Sequence, residues 1–144
     1  MRVADLIQSR TEIYSIPEET TVHEAARYLR AHQVRSVGVL GSKGKLAGVI
    51  SQSDISDKVA AENKCPAWMR VSEIMSRDLL VVQPDFPLDE CLRLMEKHSV
   101  FHLVAEEKSG RFLGMISVAD LLRVIASDEK ARADTFEAFA FPQR

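Results

Sequence analysis

Two serine–aspartate pairs with the same spacing stand where an apolar segment gives way to a helical pattern. Ser51 precedes Asp54, and Ser117 precedes Asp120, by three positions. Unpaired amides at the start of a helix favour a phosphate, and a serine hydroxyl adds a donor. An ionised carboxylate in the first turn accepts hydrogen bonds from vicinal hydroxyls, such as those of a ribose. The pattern therefore predicts phosphate contacts at the two serines and ribose contacts at the two aspartates.

The same spacing has a purely structural interpretation. Ser-x-x-Asp is also the spacing of a capping box, in which the two residues satisfy each other's backbone amides at a helix start. Either pair alone is explained by capping, and finding two pairs does not decide between the interpretations, because a cap would be duplicated too.

The two pairs belong to an internal repeat. Shifting the chain by 66 positions aligns residues 22–55 with residues 88–121 without a gap, and the identical pairs include Gly48/Gly114. An offset of 68 aligns residues 3–7 with residues 71–75, so the first copy has two extra residues before its first strand. The chain thus consists of two copies of one motif.

Each copy predicts the same order of elements. Apolar residues recur at helical spacing after Thr21, which stands three residues before Glu24 as in a capping box, and glycines mark a hairpin turn later in each copy. The predicted order is β-α-β-β-α, preceded by a helical turn. Its segments are turns 3–8 and 71–76, strands 14–16 and 80–82, helices after Thr21 and from Leu88, hairpin strands 36–40, 46–51, 102–106 and 112–117, and last helices from near Ser53 to Asn63 and from Val118 to Ser127.

The repeat divides the chain into parts. Residues 1–61 form the first motif, residues 62–70 a connector without periodicity, residues 71–128 the second motif, and residues 129–144 a tail. About 60 residues are marginal for an independent core, so the two motifs are expected to pack as one α+β unit.

Composition excludes several classes of function. The net charge of −2, from 19 basic and 21 acidic residues, provides no strong field for nucleic acid or an anionic membrane. Apolar runs are short, and we expect a cytoplasmic protein without a membrane segment. Cys65 and Cys91 are the only cysteines, which predicts neither a disulfide framework nor a metal site. The sequence contains no HExxH, GxSxG or Walker A pattern, so a small nucleotide-acting enzyme is the least favoured class.

Over residues 3–127 the sequence resembles the CBS domain family. The resemblance is clearest at Gly48–Asp54 (GVISQSD) and Gly114–Asp120 (GMISVAD), which occupy the same place in the two copies. It implies a pseudo-twofold pair of β-α-β-β-α CBS motifs that binds adenosine-containing ligands in clefts between the copies and forms a homodimer.

The resemblance implies further site residues. Arg35 and His102 stand beside the start of the second strand of each copy, where basic residues of the family often contact phosphates. Structural roles, as a solvated charge and a strand-end polar residue, explain them equally well. The first-strand hydroxyl that is common in the family is present as Ser15, but Val81 replaces it in copy two. Because the copies differ at these positions, we expect two unequal clefts.

Together these features predict a stand-alone regulatory or sensor module that is not an enzyme. It needs no catalytic cofactor; its regulatory ligand would be AMP, ADP, ATP, NAD or S-adenosylmethionine, and it would signal to an unidentified effector protein. The alternative is a structural or protein-interaction module that binds no ligand. Three phenylalanines in residues 129–144 are expected to pack on the module, its dimer mate or a partner, unless the tail is a disordered end.

Overall fold

The computed structural model describes residues 1–10 and 12–127, so the prediction for the tail lies outside the described residues. Two three-stranded sheets carry helices in the order that the repeat predicts, and the α+β fold is confirmed. The elements are α1 (Val3–Gln8), β1 (Ser15–Pro17), α2 (Val22–His32), β2 (Ser36–Leu40), β3 (Leu46–Ser51), α3 (Gln52–Ile55), β4 (Val81–Val82), α4 (Leu88–His98), β5 (His102–Glu106), β6 (Phe112–Ser117) and α5 (Val118–Ala126).

Both sheets have the same topology. In the first, β1 runs parallel to β2, and β2 pairs antiparallel with β3; in the second, β4, β5 and β6 repeat this arrangement. The antiparallel register places Ser36 opposite Ser51 and His102 opposite Ser117. The start of each hairpin therefore lies beside the serine that ends it.

Two helical segments differ from the prediction. The last helix of copy one is α-helical only over α3 and continues as a π-helical turn, Ser56–Ala60, whereas α5 in copy two is a regular helix of 9 residues. The turn predicted at 71–76 is a 3₁₀ turn over Val71–Glu73. Hydrophobic periodicity does not distinguish these helix types here, because segments of 5 and 3 residues are too short to separate their different numbers of residues per turn.

The segment that begins each copy, residues 3–7 or 71–75, packs on the other copy; we call these the exchanged segments. Val3 of α1 is fully buried in the second-copy core with Cys91 and Ile116, while Val71 and Met75 lie in the first-copy core. Backbone hydrogen bonds repeat the exchange, since the Val3 amide donates to the Phe86 carbonyl and the Val71 amide to the Thr20 carbonyl, both at 2.9 Å. Each core is therefore completed by a segment from the other half of the chain.

The two sheets also meet each other directly. Val49, Val104 and Phe112 form a small buried cluster between them. Gly38 in β2 allows this approach, because a Cβ there would lie 2.6 Å from the Phe112 ring. The copies are thus held together by one inter-sheet contact and by the exchanged segments, as the marginal size of each copy leads one to expect.

Candidate functional site

Two clefts lie between the copies, each beside one Ser-x-x-Asp pair. Cleft one, of ≈ 480 Å³, is lined by Ser51 and Asp54 together with Ser76 and Asp78. Cleft two, of ≈ 870 Å³, is lined by Ser117 and Asp120 together with residues that follow α1, among them Arg10. In both clefts, residues following the exchanged segment form part of the wall.

The clefts share residues from the starts of β2 and β5. Arg35, Ser36, Phe101 and His102 line both of them. The structure therefore brings together every residue that the sequence singled out except Ser15, which lies in β1 opposite Gly38 and does not line either cleft.

Both Ser-x-x-Asp pairs form complete capping boxes. The Ser51 amide donates to Asp54 Oδ2 at 3.0 Å, and the Asp54 amide donates to Ser51 Oγ at 3.2 Å. The corresponding distances for Ser117 and Asp120 are 2.9 and 3.1 Å. The structural interpretation of the motif is therefore real in both copies, and any ligand must bind to residues that already cap a helix.

The first amide of α3 and the first amide of α5 each have a protein partner, whereas the sequence analysis assumed unpaired amides there. The Gln52 amide donates to the Arg35 carbonyl at 3.0 Å, and the Val118 amide donates to the Phe101 carbonyl at 3.1 Å. A phosphate in either cleft would consequently depend on side-chain donors more than on these amides.

The two carboxylates have different surroundings. Asp54 is only 8% exposed. Its Oδ1 forms a salt bridge with Lys58 Nζ at 3.1 Å and accepts a hydrogen bond from the Ser76 hydroxyl at 3.4 Å. Asp120 Oδ2 accepts a hydrogen bond from Arg10 Nη2 at 2.9 Å, and its Oδ1 accepts one from Arg123 Nη2 at 2.8 Å. The side chain of Asp120 is 22% exposed against 11% for Asp54, so Asp120 is the more accessible acceptor.

Arg10 is held in place by more than the ion pair. Its Nη1 donates to the carbonyl of Met115, and the missing side chain of Gly114 leaves room, since a Cβ there would lie 3.2 Å from Nη1. In copy one, Val49 is the repeat equivalent of Met115. Its amide donates to the Ser76 carbonyl and its carbonyl accepts from the Ser76 amide, both at 2.9 Å. The strand edge is thus closed by backbone in cleft one and by an arginine side chain in cleft two.

The charge state of Asp120 follows from these contacts. Burial acts to raise the pKa of Asp120, but the hydrogen bonds from Ser117 and the positive charges of Arg10 and Arg123 outweigh it, so the pKa lies below its usual value. Asp120 is therefore ionised at neutral pH and acts only as an acceptor, as hydrogen bonding to ribose hydroxyls requires.

His102 is neutral at neutral pH. Burial lowers the pKa of His102 and the nearby Arg35 lowers it further, while Asp120 acts in the opposite direction. The imidazole accordingly offers one donor and one acceptor to either cleft until an additional negative charge favours its protonation.

Ser36 was not singled out by the sequence. It is 6% exposed and lines both clefts, and its Oγ has no hydrogen-bond partner among residues 1–10 and 12–127. A buried hydroxyl without a partner is uncommon, and a ligand or a water would satisfy it. Sequence analysis also missed Arg10, Asp78 and Arg123, although extending the offset of 68 past residues 3–7 aligns Arg10 with Asp78.

Two observations bear on catalysis and metal binding. Burial, with a contribution from Asp89, raises the pKa of Cys91 to about 11, so this core thiol stays protonated at neutral pH. Within the part of the chain that the structure describes, no group of three or more His, Cys, Asp or Glu side chains is arranged to hold a metal ion.

Comparison with known proteins identifies both copies. The sequence model of the CBS domain matches residues 3–61 and 71–127. A CBS-domain protein from Burkholderia ambifaria superposes with a TM-score of 0.81 at 26% identity, covering 90% of this chain and 96% of that one. The CBS domain pair of protein MJ0100, solved with 5′-methylthioadenosine and S-adenosyl-L-methionine, superposes with a TM-score of 0.78 at 24% identity, covering 88% and 97% of the two chains.

Curated relatives are longer than this chain. An uncharacterized protein from Methanopyrus kandleri is 29% identical over 118 residues, which are 82% of this chain and 60% of that protein. The homoserine O-acetyltransferase of Methanocorpusculum labreanum is 30% identical over 117 residues, which are 81% of this chain but only 23% of the enzyme. Across residues 1–10 and 12–127, no helix has both the length and the apolar character needed to cross a bilayer.

Proposed function

Because this chain belongs to the CBS domain family and carries two such domains in tandem, we propose that it is a regulatory module that binds an adenosine-containing ligand between them. The observation that carries the proposal is that each Ser-x-x-Asp pair lines a cleft that also contains Arg35 and His102. Capping alone does not require the pairs to face shared cationic and polar residues.

Cleft two is the principal site in this proposal. The ionised carboxylate of Asp120 accepts the ribose hydroxyls, and Arg35 and His102 donate to phosphate or other polar groups on the 5′ side. Phe101 is 74% exposed and lines both clefts, which makes its ring a platform for an adenine. The MJ0100 complex with two adenosine derivatives supports this ligand class at the level of the fold.

Regulation follows from the position of the clefts between the copies. A ligand that contacts both copies stabilises the arrangement that it fits best, in proportion to its differential affinity for the available arrangements. We propose that this shift changes a surface that an effector protein recognises. The ligand acts as an effector and is not turned over.

A thermal-shift screen of the full chain tests the proposal. The ligands are AMP, ADP, ATP, NAD and S-adenosylmethionine, and a ligand that binds only the folded state adds about 2.7 kcal/mol at 100 times its dissociation constant. We expect at least one to raise the unfolding temperature, and Asp120→Ala to remove the effect. Asp54→Ala should remove any part of it that arises in cleft one.

Asp89→Ala is the matched control, because Asp89 is an exposed carboxylate in the first turn of α4 and lines neither cleft. It should leave the ligand effect intact. Equal shifts in the wild type and in both cleft variants would contradict the assignment of the carboxylates. Absence of a shift with every ligand would favour the alternative, an interaction module whose Ser-x-x-Asp pairs are caps only.

We further propose that the module acts as a homodimer, which is the assembly that the family resemblance implies. Sedimentation equilibrium or light scattering at micromolar concentration should give twice the mass of 16.1 kDa. A monomer mass under these conditions would contradict this proposal while leaving ligand binding by a single chain untouched.

A further inference from the structure

The residues that follow the two exchanged segments bring opposite charges to the two clefts, Arg10 to cleft two and Asp78 to cleft one. The exchanged segments superpose by sequence at an offset of 68, and their first backbone contacts are the same: the amides of Val3 and Val71 bond the carbonyls of Phe86 and Thr20, both at 2.9 Å. Continuing this offset aligns Arg10 with Asp78 in sequence, whereas the contact of Arg10 with Met115 is taken in copy one by the backbone of Ser76 on Val49. Arg10 lines cleft two, and Asp78 lines cleft one.

In cleft two, Arg10 is a fixed positive charge. Its bonds to Asp120 and to the Met115 carbonyl use two of the five N–H donors of a guanidinium, which leaves donors for a ligand. Arg123 adds a second cation, because it also lines this cleft and pairs with the other oxygen of Asp120. Glu12 lines cleft two as well, so the charged lining consists of three arginines, with Arg35, against two carboxylates.

Cleft one has no such addition among the residues that line it. Asp54 and Asp78 contribute negative charge against Arg35. Lys58 pairs with Asp54 at 3.1 Å and donates to the Ile74 carbonyl at 2.8 Å, but it does not line the cleft. Since Arg35 and His102 line both clefts, they do not distinguish between them.

The geometry points to a division of ligands by charge: cleft two takes a phosphate-bearing adenine nucleotide, and cleft one takes an adenosine derivative without negative charge, either neutral or cationic. This inference rests on the proposed function and names the ligand class of each cleft. The buried hydroxyl of Ser36, which has no partner in the part of the chain that the structure describes, lies in both linings, so it is available to either ligand and sets no preference.

The test is calorimetry of the full chain with AMP, adenosine and S-adenosylmethionine, which differ in the charge of the 5′ substituent. Asp54→Ala disables cleft one, so that binding to cleft two is measured, and Asp120→Ala disables cleft two, so that binding to cleft one is measured. If an alanine variant fails to fold, the corresponding Asp→Asn substitution takes its place. In Asp54→Ala, we expect AMP to bind at least about tenfold more tightly than adenosine, which is the size of effect that one fixed charge produces at a partly exposed site.

Arg10→Gln in the same background should remove that advantage while leaving the affinity for adenosine within about threefold. In Asp120→Ala, the preference should reverse, with adenosine or S-adenosylmethionine binding more tightly than AMP, and Asp78→Asn should narrow the difference. Arg93→Gln is the control, because Arg93 is exposed on α4, pairs with Glu90 and lines neither cleft.

The outcomes separate this inference from the proposed function. If AMP and adenosine bind equally in Asp54→Ala, or if Arg10→Gln weakens both ligands alike, the charge division is wrong and adenosine binding still stands. If none of the three ligands binds the wild type, the charge division is overturned, and the thermal-shift screen with ADP, ATP and NAD decides whether the proposed function falls with it.

Discussion

Asp54 and Asp120 occupy the same position of the repeat and bond to a serine in the same way, yet their other partners come from different places. Lys58 lies one helical turn beyond Asp54 in the same copy, whereas Arg10 is separated from Asp120 by 110 positions. The spacing within the motif could predict the serine contact because it is local. It could not predict Arg10, since only tertiary packing of α1 brings that residue to cleft two.

Stability should depend on pH through His102. Because the folded-state pKa lies below 6.5, the unfolded chain binds a proton first as the pH falls, and the free energy of unfolding decreases from about pH 6.5 downward until the folded-state pKa is passed. His102→Gln should reduce this loss. Urea unfolding at about pH 7.5 and about pH 5.5, compared between wild type and variant, measures the difference.

His23→Gln provides the comparison, because His23 is an exposed histidine outside both clefts. It should leave the pH dependence as in the wild type. A His102 variant that loses as much stability on acidification as the wild type would show that this imidazole is not the group that titrates.

The site residues that sequence analysis identified are those whose signal is local or repeated. Ser51, Asp54, Ser117 and Asp120 share a spacing, and the structure brings them to the clefts. Ser36 carried no such signal, because nothing in its neighbours indicates that its hydroxyl is buried without a partner. The roles of all five residues in ligand binding stay predictions.

At the scale of elements, the hairpins were the most predictable part. The strands β2, β3, β5 and β6 have the predicted bounds, because short apolar segments and turn glycines are encoded within each hairpin. The helix type at the end of copy one could not be predicted, since its π-helical turn, Ser56–Ala60, has the apolar spacing of an ordinary helix. That turn contains Lys58, whose bond to the Ile74 carbonyl joins it to the exchanged segment.

Gly48→Ala should destabilise the fold at the contact between β3 and that segment. A Cβ at Gly48 would lie 2.7 Å from Met75 Sδ and 2.9 Å from the Ser76 carbonyl oxygen, and the latter is backbone that cannot rotate away. Overpacking of this kind costs about 1–3 kcal/mol of unfolding free energy, measurable by urea denaturation.

Gly41→Ala is the matched control for this change. Its nearest neighbour would be a carbonyl oxygen at 3.7 Å, an ordinary contact. We expect it to stay within about 0.5 kcal/mol of the wild type. Equal effects of the two substitutions would mean that the close approach at Gly48 relaxes without cost.

At the scale of the whole molecule, the exchange of leading segments joins the two copies, because each core contains residues from the other copy. The repeat predicted that the copies pack together, because each is too small for a core of its own. It did not predict which segment completes which core, since residues 3–7 and 71–75 have the same apolar pattern and would fit their own copy equally well on periodicity alone.

Val3→Ala should therefore weaken the second copy, although Val3 lies at the other end of the chain. The side chain is fully buried with Cys91 and Ile116, and its truncation costs roughly 1–3 kcal/mol. Hydrogen exchange should increase more in α4 than in α2. Gln8→Ala, at an exposed position of the same helix, should change neither; greater exchange in α2 would contradict the exchanged packing.

The exchange also orders events during synthesis. Residues 3–8 leave the ribosome long before Phe86, Cys91 and Ile116, which form the surface on which they pack. The first copy likewise waits for Val71 and Met75 before its core is complete. Contacts between residues so far apart in the chain form late. The nascent chain must therefore keep an apolar segment exposed until the second copy has emerged, and this interval is when it most needs protection from aggregation.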